Sequence, residues 1–522
     1  MSTSMGPRIH LLCLFFLVLA GDAVRGVRLI CENGYQAGSH YYHLGNGGFA
    51  YHASYETWTS IYFKCVFYER GCRGRAIFKP DQRFTETAPH NHPADPDFVG
   101  KRHFRENLLG EIRNNPRFVG YQEVLDQFRS DRRYSRKVRS KMTLRGLRSC
   151  MYKTRMNKYP NLPYTMRELT RCLLQHPNVS QTIDETENLY AGSVTARDGS
   201  HHVALFSPRM LQFMSRIKAI QSDGTFGSRP ALPASSQLFV LVTTWRNSVI
   251  PLGCFLMESR TKAAYDAVFQ LLKELCPNFR PEVIMSDWEY PQQAAWQEAF
   301  PAAQLQGCLW HLCRAFVRKA KTLHLLRYRN DLPTLLNYVR KATAISLLPR
   351  QFFAPALEVL RAAVLQEDRL LAYLLRPFFE YVETRWINNR YRSNWMSLFN
   401  ADIRTNNACE TTNRMLRRKT GAYRPNVFLF IQSWATLENN ASLDCELLGG
   451  GGDSRRTRRW QSVYTDRQLK ALCRDLELDI FHDQNVTLSG FLSRASHLFH
   501  GAFNEHVMDA IGRGVRNANA VL

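Results

Sequence analysis

Along residues 217–308 the apolar positions gather in short runs, each closed by a polar or glycine-containing break, and that rhythm predicts alternating strands and helices. Short strand-like runs are read over 217–223, 237–244, 249–257, 283–286 and 304–308. The second and third are joined by Trp245-Arg246-Asn247-Ser248, which reads as a hairpin connection. Over 261–275 the period changes, with Ala264, Tyr265, Val268, Leu271, Leu272 and Leu275 at helical intervals. Further helices are expected over 291–300 and through His311 and Phe316. From Lys319 to Arg392 the helical period persists, most clearly at Leu332, Leu335, Leu336 and Val339 and again at Leu357, Leu360 and Val364. Glu410 opens or lies within a helix through Met415 to Lys419, and 427–439 predicts another. Nearer the N-terminus, alternation around Phe49–Tyr51 and Ile61–Phe67 predicts short strands. Leu108, Leu109 and Ile112, then Val124, Leu125 and Phe128, have helical spacing.

In the central stretch the order β-β-β-α-β-α-β-α matches an RNase-H-like layout, three antiparallel strands followed by parallel ones with covering helices. The expected fold class is α/β: an RNase-H-like mixed-sheet core interrupted by an all-α insertion and preceded by a small β-rich module and basic helices. A chain of 522 residues exceeds one ordinary core, so several domains are expected. Their boundaries read as 1–26, a signal-like apolar leader; 27–97, the small module; and 98–210, a basic helical region and connector. The core follows over 211–318, the insertion over 319–400 and closing helices with Glu410 over 401–440. The last segment, 441–522, opens on the flexible basic linker Leu448-Gly449-Gly450-Gly451-Gly452-Asp453-Ser454-Arg455-Arg456 and ends in an amphipathic tail.

Charge narrows the partners. A net charge of +24 points to a polyanion, nucleic acid before an anionic membrane surface. About half of it comes from Phe98–Pro160, where Arg132, Arg133, Arg136, Lys137, Arg139, Lys141 and Arg145 follow in quick succession. A solvated helical face is the alternative there. The 13 cysteines lack the density of a disulfide scaffold, which favours reduced thiols with a few on a metal. Residues 1–26 pull the other way, because Arg8, the apolar run Leu11–Ala20 and the small residues after it follow the grammar of a secretory signal. No stable membrane partner is expected, since that run is too short to span a bilayer.

Two sets of side chains carry candidate chemistry. Cys65, Cys72, His90 and His92 form C-x6-C-x17-H-x-H, the two-thiolate, two-imidazole complement of a structural Zn2+ site. The alternative is a pair of buried cysteines and a polar His-Asn-His-Pro turn. Asp223 and Asp287 each close an apolar strand, and Glu410 lies on a distant helix. Three carboxylates so delivered suit a pair of Mg2+ or Mn2+ ions, which prefer oxygen ligands. Taken singly, each aspartate is as readily a turn or cap residue. Glu289 reads as a helix cap or an outer group. Trp386, Trp395 and Arg404 read as packing and phosphate-contact residues.

Asp223-Gly224-Thr225-Phe226, Ser286-Asp287-x-Glu289, Cys308-Leu309-Trp310-His311 and Asn406-Asn407-Ala408-Cys409-Glu410-Thr411-Thr412-Asn413 occur in that order. Together they resemble the MULE (Mutator-like element) transposase domain over about residues 216–419. The upstream segment with Tyr62-Phe63-Lys64-Cys65 resembles a FLYWCH-type zinc finger, with Phe63 where that family has tryptophan. The first resemblance implies a DDE-type transposase with Asp223, Asp287 and Glu410 as catalytic and metal-binding triad, and a C-x2-H signature at Cys308 and His311. That pair supplies only two metal ligands, and Cys313 lies off their shared face, so a structural or DNA-contacting role is favoured over zinc. The implied partners are double-stranded DNA at transposon inverted repeats and at the target. A homodimer or larger synaptic assembly is also implied, although no sequence feature fixes the stoichiometry. The expected compartment is the nucleus, with the secretory pathway as the alternative if the leader acts. A domesticated DNA-binding protein in transcription, keeping the fold without the chemistry, is the rival reading.

Overall fold

The computed structural model describes residues 29–33, 39–44, 48–79, 83–114, 120–328, 330–421, 423–453, 460–481 and 487–518. The signal-like leader and part of the expected linker lie outside them. The chain divides into two compact units, residues 1–158 and 159–522.

In the first unit six strands form an antiparallel meander in sequence order: β1 (Leu29–Asn33), β2 (His40–Leu44), β3 (Ala50–Thr57), β4 (Ser60–Cys65), β5 (Arg75–Phe78) and β6 (Phe84–Ala88). Alternation along the strands sends Tyr42, Tyr51, Phe63 and Ala76 into one small core. Four helices follow, α1 (Phe98–Asn114), α2 (Tyr121–Ser130), α3 (Arg136–Lys141) and α4 (Leu144–Met156). They close around Phe104, Leu108, Ile112, Leu125 and Met151. Ser135 and Thr143 cap α3 and α4 through their hydroxyls, which satisfies backbone donors that a helix start leaves open.

The second unit opens with α5 (Met166–Gln175), β7 (Tyr190–Thr195), β8 (His201–Leu205) and α6 (Pro208–Met214). Then come β9 (Ala219–Thr225), β10 (Gln237–Trp245), β11 (Ser248–Met257), α7 (Lys262–Leu275), β12 (Val283–Ser286), α8 (Tyr290–Ala299), β13 (Gln304–Gly307) and α9 (Leu309–Thr322). The strands form one mixed sheet in the order β13-β12-β9-β10-β11-β8-β7. β12 is parallel to both β9 and β13, and the remaining pairs are antiparallel. Central β10 has buried residues at every position from Gln237 to Thr243, as a strand covered on both faces must. Phe239 and Leu241 join the core under α7 and α8 with Tyr265, Phe269 and Trp296. Leu238, Val240 and Val242 alternate to the other face.

Two differences from the sequence reading concern the ends of this unit. Residues 190–205, expected within a connector, extend the sheet as its edge strands β8 and β7. The C-terminal segment is no free tail. Helices α10 (Pro333–Ala344), α11 (Phe353–Glu367), α12 (Arg369–Val382) and α13 (Arg390–Met396) fill the stretch read as an all-α insertion, followed by α14 (Asn407–Thr420) and α15 (Val427–Gly449). Then α16 (Trp460–Phe481), α17 (Leu488–Leu498) and α18 (His500–Ala518) bury Leu472, Leu476, Phe491, Leu492 and Phe503 in the same core as the insertion. The apolar faces of the tail and insertion thus cover each other. Among the described residues no helix is long and apolar enough to cross a membrane.

Candidate active site and metal centre

The carboxylate site is built by strand register. β9 and β12 run parallel with Val283 beside Ala219, Ile284 beside Ile220 and Met285 beside Gln221. Carried two residues further, the same offset sets Asp287 beside Asp223. Alternation then aims successive side chains of β9 to opposite faces. Ser222 points towards α8, where Gln292 Nε2 and Trp296 Nε1 donate to its hydroxyl at 2.9 and 3.1 Å. Asp223, paired in register with Val240, points to the opposite face, against which α14 packs. Gly224 lies close under Gln237: a Cβ there would stand 2.1 Å from its Oε1, so a larger residue must turn that amide aside.

Glu410 sits in the first turn of α14. The residue before that helix, Asn406, is buried and uses its amide for neither a cap nor solvent. Its Nδ2 donates to Asp287 Oδ1 at 2.9 Å and to the Ser222 carbonyl at 3.2 Å, bridging the two strands. Glu410 follows four residues later, on the same side of the helix, with its N–H donating to the Asn406 carbonyl at 3.2 Å. Burial pushes the Asp223 carboxyl well above the usual range, and the charge of Asp287, with a smaller part from Glu410, adds to it; His311 opposes. Facing carboxylates of this kind suit a hard cation, whose charge would remove the repulsion.

The C-x2-H pair belongs to the same place. Cys308 is buried at the N-cap of α9, and the Asn406 N–H donates to its Sγ at 3.3 Å. His311 Nδ1 stands 2.7 Å from Asp287 Oδ1. Burial opposes charge on this imidazole, yet bonding to Asp287 and Cys308 outweighs it and pushes the ring up to about 11. Asp287, Cys308 and His311 have ligand atoms within 4.8 Å of one another. The sequence pattern counted two ligands here because the third, Asp287, comes from another strand. Among the described residues the three carboxylates are not drawn together that tightly; the only other such cluster is the Cys/His quartet. Cys313 is buried in the helical core, away from this role.

Other expected positions divide by environment. Glu289 occupies the N-cap of α8 without capping it; its carboxylate lies 3.4 Å from the Tyr265 hydroxyl, and burial raises its pKa. Trp386 packs edge-on against Trp288 at 4.8 Å, and Trp395 Nε1 faces Gln297. The Arg404 side chain is mostly covered, and its Nη1 donates to Asp466 at 2.8 Å.

In the first unit Cys65 ends β4, Cys72 follows a short turn, and His90 and His92 follow β6. Their ligand atoms also lie within 4.8 Å of one another. The Tyr51 hydroxyl donates to Glu86 Oε1 at 2.8 Å and therefore accepts from His90 Nε2 at 2.9 Å, leaving the Nδ1 lone pair inward. His92 Nδ1 donates to the Pro93 carbonyl at 2.9 Å, leaving its Nε2 lone pair inward. These two lone pairs face each other at 3.2 Å, beside Cys65 Sγ at 3.3 Å and Cys72 Sγ at 3.4 Å. Backbone N–H groups of Phe67 and Gly74 donate to the two sulfurs. Four inward electron pairs with no proton between the imidazoles are a donor set that fits a tetrahedral metal ion.

Of the basic residues, Arg132, Arg136, Lys137 and Arg145 are exposed. Arg133 and Lys141 are also exposed but pair with Asp131 and Asp97, at 2.7 and 2.9 Å. Arg139 is half-buried and donates to the Arg129 carbonyl, a fastening between α2 and α3.

Residues 219–315 match the model of the MULE transposase domain. The matched stretch carries Asp223, Asp287, Cys308 and His311 and ends before Glu410. The match suggests a transposase-related function for this stretch, which implies DNA as partner and use of divalent metal. No curated protein matches the chain.

Proposed function

We propose that the chain is a DDE-type DNA transposase whose second unit holds an RNase-H-like core. In this reading it cleaves DNA at transposon ends and joins the freed 3′ end to target DNA. The observation that carries the reading is the pairing of Asp223 with Asp287 across parallel β9 and β12, with Glu410 delivered by a helix that Asn406 fastens to both strands.

A pair of Mg2+ or Mn2+ ions, when bound, supplies the Lewis acidity that such a phosphodiester displacement needs. Asp223, Asp287 and Glu410 are the residues that would hold the ions. Asn406 keeps Asp287 turned towards Asp223 by donating to one of its oxygens. Ser222 anchors the strand behind Asp223.

The first unit acts as the DNA-binding part. Cys65, Cys72, His90 and His92 hold a structural Zn2+ in a FLYWCH-type module, which a core as small as that around Tyr51 and Phe63 needs for stability. Arg132, Arg136, Lys137 and Arg145, with Arg133 and Lys141, neutralise phosphates without selecting sequence. Nuclear residence follows from such a substrate, and imaging of a C-terminally tagged chain tests it.

The decisive experiment is Mn2+-dependent nicking of a labelled duplex by the full chain. Asp223→Ala and Asp287→Ala are expected to abolish nicking and leave duplex affinity within about twofold. Wild-type chain that binds duplex but never nicks it would replace this proposal with a non-catalytic DNA-binding role.

A further inference from the structure

Cys308 and His311 are more than a signature beside the carboxylates. Thiolate and imidazole are borderline-soft ligands that Mg2+ does not choose and that zinc-class ions do. Asp287 completes a three-ligand set with them, all ligand atoms lying within 4.8 Å. Three protein ligands with one position left over is the pattern of an exchangeable zinc site rather than a closed structural one.

The surroundings are organised around these three groups. Asn406, itself buried, donates its backbone N–H to Cys308 Sγ at 3.3 Å and its side-chain amide to Asp287 Oδ1 at 2.9 Å. One residue thereby orients two ligands from outside, as partners of metal ligands do. Trp288 Nε1 donates to the Cys308 carbonyl at 3.0 Å and fixes the start of α9. Leu309 N–H donates to the Arg404 carbonyl at 2.9 Å, tying the same turn to the segment that leads into α14. His311 Nδ1 and Asp287 Oδ1 are 2.7 Å apart, an ion pair whose proton a bound cation would displace.

We propose that Asp287, Cys308 and His311 form a second cation site, selective for zinc-class ions, which shares Asp287 with the carboxylate centre. Because one carboxylate serves both sites, zinc in the second withdraws Asp287 from the first. The site is then a metal-selective brake on the Mn2+- or Mg2+-dependent reaction. Its inhibitory consequence rests on the function proposed above; its existence does not.

Metal stoichiometry of the full chain after zinc loading and dialysis tests it. Wild type is expected to retain two zinc ions per chain, one in the quartet and one in this site. Cys308→Ser and His311→Asn should each retain one, and Cys65→Ser/Cys72→Ser should lose the other. Cobalt(II) in place of zinc should give a sulfur-to-cobalt charge-transfer band in Cys65→Ser/Cys72→Ser that disappears when Cys308→Ser is added. Far-ultraviolet circular dichroism identifies any variant that has not folded, and His311→Asn, which spares the buried thiol, then stands in for Cys308→Ser. Unchanged stoichiometry in folded Cys308→Ser or His311→Asn overturns the proposal. Manganese bound by the wild-type chain, followed by electron paramagnetic resonance, should fall at least fivefold when one equivalent of zinc beyond the quartet is added. No fall would overturn the shared-ligand claim. A wild-type chain that never nicks DNA, with these metal results intact, would sink the transposase reading alone.

Discussion

At the scale of single residues, the second unit holds groups whose environments work against their charge. Asp223 has its carboxyl pushed up by burial first and by Asp287 second. A carboxyl raised on folding contributes stability that is present below its unfolded pKa and lost as pH rises through the folded value. Without a cation, an ionised Asp223 therefore works against the fold. Asp223→Asn is expected to raise metal-free stability by about 1 kcal/mol while abolishing cleavage. Mn2+ should raise the melting temperature of wild type and leave the variant nearly unmoved; equal shifts in both would show that the cation binds elsewhere. His202 works in the opposite direction. It is fully buried in β8, and burial depresses its imidazole from 6.5 to about 4. The unfolded chain binds that proton first, so stability is present above pH 6.5 and is lost as pH falls towards 4. The loss is expected to approach roughly 3 kcal/mol. Urea unfolding between pH 7 and 4 should show the slope, and His202→Asn should flatten it.

At the scale of elements, the strands and helices of the central sheet were legible because their apolar runs match one period or the other without conflict. The strand expected over 283–286 is β12, and the helix expected from Thr261 begins one residue later, with the Thr261 hydroxyl accepting from the Ala264 N–H as its cap. The run at His202–Phe206 reads as strand-like and is β8, but edge strand β7 was harder to read, since Tyr190–Thr195 is only half-buried and carries a glycine at a bulge. What no periodicity revealed is how elements are fastened. Asn406 stood within a quoted motif, yet its bonds to Asp287, Ser222 and Cys308 need three other elements in place. The same holds for Asp287 as third neighbour of Cys308 and His311, and for Asp466 as the partner of Arg404. The junction of β13 and α9 gives a test of this fastening. A Cβ on Gly307 would lie 2.2 Å from the Trp288 ring, which also packs on Trp386 and bonds the Cys308 carbonyl. Gly307→Ala must therefore displace a ring held on two sides. It is expected to cost about 1–3 kcal/mol and to lower nicking by an order of magnitude or more through Asp287 and Cys308. A variant with wild-type urea midpoint and activity would mean that the ring moves freely and positions nothing.

At the scale of the molecule, the division at residues 158 and 159 separates two different sources of stability. The second unit buries large aromatic and aliphatic cores under a seven-stranded sheet and its helices, including the tail helices α16 to α18. The tail read as amphipathic with no assigned partner, because the partner of its apolar face is the helical stretch more than a hundred residues earlier. The six-stranded sheet of the first unit has only a small cluster around Tyr42, Tyr51, Phe63 and Ala76. Its strand ends converge instead on Cys65, Cys72, His90 and His92. If a zinc ion joins them, removing it leaves two imidazole lone pairs facing at 3.2 Å between two sulfurs, a repulsion the small core has little burial energy to offset. Chelation of the full chain is therefore expected to split the melting profile. Amide protons of β2 to β6 should lose at least a hundredfold in exchange protection, and those of β9 to β12 should change by less than threefold. Cys72→Ser should mimic chelation, and zinc should restore protection to wild type but not to the variant. Equal loss in both sheets would mean that their stabilities are not separable. No loss in either would mean that the quartet is held by its hydrogen bonds alone, with Glu86 and Tyr51 fixing His90 and the Pro93 carbonyl fixing His92 without a metal.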